Sequence, residues 1–465
     1  MLRYHVYRSG ALDLGLYSQC IWSVLQGKLL WTSVVWGSSY FASHISPILF
    51  LFSPMYLIWN DPQMALIFQT IALAIGAFPI YWITKKIFKS DLSGLCFALC
   101  YLFYPGLQYA NLFDLHPVVF ATPFFLFALH YLFEKKYSLF LIFTLLTMMC
   151  REDVCLVTLI FGLCLFLSNY KKNKTEKNLG LFLFLFSFLW LFISFKFVIP
   201  YFWAQADSVY SKLEDTYLCR YNYLGSSYGE IVKNIFLHPF LVLKHLLTFS
   251  KIKHFMIIFS PLAFIPLLSI KNIIIIIPVL LMNFLSDDLT MYAVCFYHRI
   301  CAFLPIVFMG LIEGLSFIKQ KYKFEKLPIF VLAICIINNI LFGPSPISLR
   351  FHPDKYIITK HHKKIDEISK LIPVNASVSA SNKIGSHLSH REILYIFPMC
   401  WKNVDYIFVD LSTEEDREQQ EKIIKDLIIK NEYKILVKQG DIFLLKRHSM
   451  SRHFMSGHSV RGVSK

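Results

Sequence analysis

From Gln63 to Phe342 the chain alternates runs of nearly uncharged, Phe-, Leu- and Ile-rich sequence with short Lys-rich breaks. Runs such as Leu179–Pro200 and Ile300–Phe317 have about the length that crosses roughly 30 Å of hydrocarbon as helix, which satisfies its own backbone there. The pattern predicts a mainly α-helical, polytopic transmembrane bundle of about ten spans, at 63–83, 92–110, 117–133, 138–150, 153–168, 179–200, 254–270, 272–288, 299–318 and 327–342. The runs on either side of Arg151 are short for spans, which suggests a re-entrant hairpin or one long bent element. The breaks carry Lys85, Lys86 and Lys89; Lys135 and Lys136; Lys171, Lys172, Lys174 and Lys177; and Lys319, Lys321, Lys323 and Lys326. Placed in the cytoplasm by the positive-inside preference, they leave the remaining connections outside. Those are residues 1–62, Asn111–His116, Arg151–Asp153, Tyr201–Lys253, Asp287–His298 and everything after Phe342.

The flanks of this region read differently. The opening Met1-Leu2-Arg3-Tyr4-His5 has neither a signal peptide nor a spanning helix, so the charge asymmetry predicts a first helix missing from this start. Ile45–Trp59 is apolar but short and holds Pro47 and Pro54, which predicts a pair of helices on the membrane surface within an outer loop, 1–62. The membrane domain then covers 63–342, and 343–447 turns to the mixed periodicities of a small soluble α/β domain outside the membrane. Here Lys360–Leu371 predicts an amphipathic helix, and Ser377–Ser381, Ile393–Phe397 and Asp405–Asp410 predict strands. Ser412 with Glu415 forms a capping-box signature for a helix through Lys430, and Tyr433–Lys438 and Ile442–Lys446 bracket a turn at Gln439-Gly440-Asp441. The Ser-rich basic end, 448–465, predicts a disordered tail.

Composition narrows the class. With 56% hydrophobic and 16% charged residues and a mean hydropathy of +0.52, a large soluble core is excluded. The net charge of +16 resides mainly at helix ends and in the last third of the chain, where it sets topology and does not point to nucleic acid. Most of the 11 cysteines fall inside apolar runs, and no disulfide framework or zinc spacing emerges; only Cys20, Cys219 and Cys400 fall on the outer side, where a bridge is open to them.

Ionisable groups that interrupt apolar sequence are costly at membrane depth and mark candidate chemistry. Asp13, His44, the pair Asp114 and His116, and Arg151-Glu152-Asp153 all converge on the outer face in this topology. Each has a plainer role available. Asp114 can cap the helix begun by Pro117, Glu152 can be neutralised by Arg151, His44 can be a packing residue, and Asp13 can be a solvated loop carboxylate.

The run Leu12-Asp13-Leu14-Gly15-Leu16-Tyr17-Ser18-Gln19-Cys20-Ile21-Trp22 occurs together with Ser43-His44-Ile45-Ser46-Pro47, Phe113-Asp114-Leu115-His116-Pro117 and Arg151-Glu152-Asp153. Tyr297-His298-Arg299 and Ser386-His387-Leu388-Ser389-His390-Arg391 complete the set. In this combination the chain resembles the DUF2079 family of predicted bacterial and archaeal membrane proteins, over nearly its whole length. That family is similar to the GT-C superfamily of polytopic glycosyltransferases. The resemblance implies a multi-pass protein of the bacterial inner membrane that moves a sugar from a polyprenyl-phosphate carrier to an extracytoplasmic acceptor. It also implies a catalytic base in the first outer loop, matched here by Asp13. Many such enzymes carry a paired acidic motif in that loop, whereas Asp13 is followed by Leu14.

The residue types suit that chemistry. Asp13, with Asp114 and Glu152 as further catalytic carboxylates, would take the proton of the attacking acceptor. Arg151 and Arg299, with His298, His116 and His44, would receive the departing phosphate. Trp22, Trp31, Trp36 and Tyr40 would stack on sugar faces or anchor at the interface. Asp13, His44, Asp114 and His116 have the donor types of a divalent-metal site, but the reading assigns no metal and no cofactor. Its partners are the bilayer, the lipid-linked sugar and an acceptor. A transporter built on the same buried charges, without an internal repeat between its halves, and a non-catalytic scaffold are the alternatives.

Overall fold

The computed structural model describes residues 1–35, 37–206, 218–322, 325–413 and 416–448; Trp36, Lys323, Glu415 and the tail 449–465 lie outside the described residues. The chain is mainly helical with a small carboxyl-terminal sheet, and it divides into two compact units. The first holds Cys20–Trp31 and most of the chain up to Tyr356; the second holds Leu2–Gln19, Thr32–Val35 and the chain from Ile357 onward.

In the first unit the apolar runs become helices: α1 Gln63–Ile75, α2 Ala77–Phe88, α3 Asp91–Phe103, α4 Pro105–Leu112, α5 Ala121–Phe133, α6 Tyr137–Met148, α7 Val154–Ser168 and α8 Lys174–Ile193. They continue with α9 Phe249–Phe259, α10 Ile270–Phe284, α11 Leu304–Tyr322 and α12 Leu327–Phe342. Among the described residues two helical stretches are long and apolar enough to cross a membrane, Gln63–Phe88 and Lys174–Trp203; the other apolar helices are shorter. Two short helices, Ile48–Phe52 and Met55–Ile58, follow Pro47 and Pro54, whose fixed φ suits a helix start. The short runs around Arg151 form two separate helices, α6 and α7, joined by a tight turn.

Small residues set the closest helix contacts. A Cβ on Gly180 of α8 would lie 2.3 Å from the Phe166 nitrogen of α7, and one on Gly162 would lie 2.7 Å from the Phe184 nitrogen. Glycine lets the two backbones touch, and the Thr158 and Ser187 hydroxyls then bond at 2.8 Å across the same interface. The predicted span 254–270 is broken. Pro261 and Pro266 each remove a helical N–H, and Ala263 and Phe264 turn left-handed at φ 52° and 58°. The break is received by Gly310 and Gly314 of α11, where a Cβ on Gly314 would meet the Ile265 carbonyl at 2.5 Å.

The second unit is built on a five-stranded sheet: β1 Val378–Ala380, β2 Leu394–Ile396, β3 Tyr406–Asp410, β4 Tyr433–Gln439 and β5 Ile442–Arg447. The order is β2-β1-β3-β5-β4, with β1 parallel to both β2 and β3 and the β5 pairings antiparallel. Phe408 pairs with Leu444, and Gly440 closes the β4–β5 turn at φ 59°. Every residue of β3 is buried, as expected for a central strand. Helix α13, Lys360–Ser369, precedes β1, and helix α14, Arg417–Ile429, lies between β3 and β4 in sequence; Ile424 and Leu427 of α14 pack with Ile407, Val409 and Leu445. The chain's first residues complete this unit. The His387 ring stacks between Tyr4 and Tyr7 at 3.8 and 4.1 Å, Ser386 Oγ donates to the Ser9 carbonyl, and Gln19 Nε2 donates to the Arg391 carbonyl at 2.9 Å.

Candidate functional site

The turn between α4 and α5 is shaped by Asp114, which adopts a left-handed φ of 57° that Asp tolerates better than most residues. Gln69 of α1 pins it from both sides: its Nε2 donates to the Asp114 carbonyl at 2.9 Å, and its Oε1 accepts the His116 N–H at 3.1 Å. The short helical turn Pro117–Phe120 starts after His116, whose own side chain makes no capping hydrogen bond. Its side chain is buried.

Held this way, the His116 ring stacks on His298 with centroids 3.7 Å apart and also lies against Phe113. Burial, followed by the influence of His116, Arg151, Arg299 and His44, holds His298 well below the usual imidazole range, so its ring is neutral. Its Nδ1 is buried and makes no hydrogen bond among the described residues.

Arg151 and Asp153 form a two-pronged pair, with Nε donating to Oδ1 at 2.7 Å and Nη2 to Oδ2. Burial acts to raise the Asp153 carboxyl, but the Arg151 guanidinium, with His44 and Arg299, outweighs it and holds the group below the usual carboxylate range. Asp153 is therefore a partner of Arg151. Glu152 faces elsewhere: its Oε1 accepts from His44 Nδ1 at 2.6 Å and its Oε2 from the Ile45 N–H at 2.8 Å. Arg299 donates through Nε to the Thr290 carbonyl at 3.0 Å and acts electrostatically on both Arg151 and Asp153.

Thus His44, His116, Arg151, His298 and Arg299 gather within the first unit together with Glu152 and Asp153. Chemically, this is a set of cationic and N–H donors with carboxylates orienting two of them, suited to an anionic group. Asp114 belongs to the same unit. Asp13 belongs to the second, in a π-helical turn Ala11–Gly15, where the Leu12 N–H donates to Asn382 Oδ1 at 3.1 Å. Gln69, Thr290 and Asp153 as a partner of Arg151 are contributions that sequence reading missed. A Gln inside an otherwise apolar helix was the available signal for the first. No group of three or more His, Cys, Asp or Glu able to hold a metal occurs among the described residues, and no disulfide joins the cysteines there.

The lysine-bearing turns also meet. Lys86 Nζ lies 2.7 Å from Glu134 Oε1, the Tyr137 hydroxyl donates to Glu176, and Lys319 lies over the Phe88 ring at 5.5 Å. Helices α5, α7 and α11 each run from the neighbourhood of the His116–Arg151–Arg299 cluster at one end to a lysine-bearing turn at the other.

An assembly of apolar helices with charge sorted to their ends is the form of a membrane protein. The chain belongs to DUF2079, a family of predicted membrane proteins, whose model matches residues 3–444. No curated protein matches it.

Proposed function

We propose that this chain is a glycosyltransferase of the GT-C type, with about ten membrane passes, that moves a sugar from a polyprenyl-phosphate carrier to an extracytoplasmic acceptor at a bacterial inner membrane. The observation that carries the reading is the convergence of Arg151, Arg299 and three imidazoles, drawn from four separate segments, at the helix ends away from the lysine turns. In the reaction, the acceptor oxygen attacks the anomeric carbon and passes its proton to Asp13. The bond from that carbon to the phosphate oxygen breaks, and the electron pair leaves with the phosphate. Arg299 and Arg151 receive the new negative charge, His44, His116 and His298 donate to its remaining oxygens, and Asp114 and Glu152 orient these donors. The exposed apolar helix faces support a bilayer-embedded carrier as the donor.

The test is transfer of labelled sugar from a panel of polyprenyl-phosphate sugars in membranes containing the full chain. Asp13→Asn is expected to abolish transfer while leaving carrier binding intact, and Arg299→Gln to weaken carrier binding. Full transfer by Asp13→Asn, or unchanged carrier binding by Arg299→Gln, overturns the assignment.

A further inference from the structure

We infer that the lysine-bearing end of the first unit carries a binding site for the headgroup of an anionic phospholipid. The turn between α2 and α3 opens a cavity of about 730 Å³ lined by Tyr81, Trp82, Lys85, Lys86, Lys89 and Asp91. Its charge is unbalanced. Lys85 pairs with Asp91 at 2.7 Å and Lys86 with Glu134 at 2.7 Å, but Lys89 has no carboxylate partner among the described residues. Lys136 acts on Glu134 beside the same turn, and Lys319 reaches the Phe88 ring, so basic groups outnumber acidic ones around the opening. The Lys85–Asp91 pair is exposed on both sides, and such pairs contribute little, so Lys85 is available to a competing anion. Lys89 ends α2 in the left-handed conformation at φ 52°, which turns the chain sharply and keeps its side chain in the open.

The surface next to the cavity decides between a lipid and a soluble anion. On α2 the rings of Phe78 and Trp82 stack at 5.8 Å and are both exposed, and Leu92 and Leu95 at the start of α3 are exposed as well. A phosphate held by Lys85 and Lys89 therefore sits at the head of an uncovered apolar track of the kind acyl chains cover. The aromatic residue between the two is the type enriched at headgroup level.

The experiment uses the full chain purified in detergent and counts bound lipid by native mass spectrometry during titration with phosphatidylglycerol or phosphatidylcholine. Phosphatidylglycerol is expected to bind about tenfold tighter. Lys85→Gln combined with Lys89→Asn is expected to lower its affinity about twenty-five-fold, from about fivefold per lysine near a charged surface, while Lys233→Gln on an exposed helix elsewhere leaves it unchanged. Asn tolerates the left-handed position, so the unfolding midpoint without lipid is expected to hold. Equal binding of the two lipids, or an unaltered preference in the double variant, overturns the proposal. Displacement of the lipid by an equal concentration of glycerol 3-phosphate does so too, since the site then takes a soluble phosphate.

Discussion

Although 108 positions apart, His44 and Glu152 meet with Nδ1 and Oε1 at 2.6 Å, and the other oxygen of the same carboxylate accepts the buried Ile45 N–H. Both oxygens of Glu152 are thus engaged in holding the His44 segment. Glu152→Gln keeps an acceptor for Ile45, whereas Glu152→Ala leaves that N–H unmet at a cost of about 1–3 kcal/mol. Thermal unfolding in detergent should rank wild type above Gln and Gln above Ala. Equal midpoints for the two variants would show that the Ile45 bond carries no weight.

Asp153 neutralises a guanidinium whose side chain is 5% exposed. Removing one member of a buried pair typically costs about 3–5 kcal/mol, because a charge stays behind in a poor solvent. Asp153→Asn is expected to be strongly destabilised, and Arg151→Gln added to it should recover most of the loss. A double variant no better than the single one would argue against this pairing as the source of the effect.

The contact of α7 with α8 leaves no room at Gly180, where a Cβ would meet backbone nitrogen and not the end of a flexible side chain. Gly180→Leu should force the helices apart and lower stability by about 1–3 kcal/mol, with Gly180→Ala intermediate. A Leu variant that unfolds with the wild type would refute this tight approach.

The ring of His387, between Tyr4 and Tyr7, is pushed down to about 3, chiefly by burial. The unfolded chain therefore takes up a proton below about pH 6.5 that the folded chain refuses until about pH 3. Stability contributed here is complete above the unfolded value and is lost as pH falls through that window. At pH 5 the loss is about 2 kcal/mol relative to pH 7.5. His387→Phe keeps the stacking, and it should flatten that portion of the pH–stability curve. A slope unchanged in the variant assigns the dependence to other groups.

Much of the secondary structure was legible because it rests on short-range periodicity. The strands at Val378–Ala380, Leu394–Ile396 and Tyr406–Asp410 and the turn at Gly440 fall where alternation and turn residues put them. The broken segment after Phe259 was less legible: hydropathy sums over residues and registers neither proline's missing donor nor the two left-handed residues that follow it. Within the candidate site, costly ionisable residues in apolar sequence singled out His44, Asp114, His116 and the Arg151 turn, but not who pairs with whom. Asp153 takes Arg151 and Glu152 takes His44 because the turn after α6 points successive side chains in different directions.

By itself, then, the sequence determined the solvent of the chain and its helical character, since an apolar run without charges satisfies its backbone in hydrocarbon only as helix. Tertiary structure alone decided that Leu2–Gln19 joins the α/β unit some 370 positions away, as between Ser9 and Ser386 or Gln19 and Arg391. It also decided that the rings of His116 and His298 stack. Such contacts depend on packing and on hydrogen-bond partners remote in the chain, and no local pattern of residues encodes them.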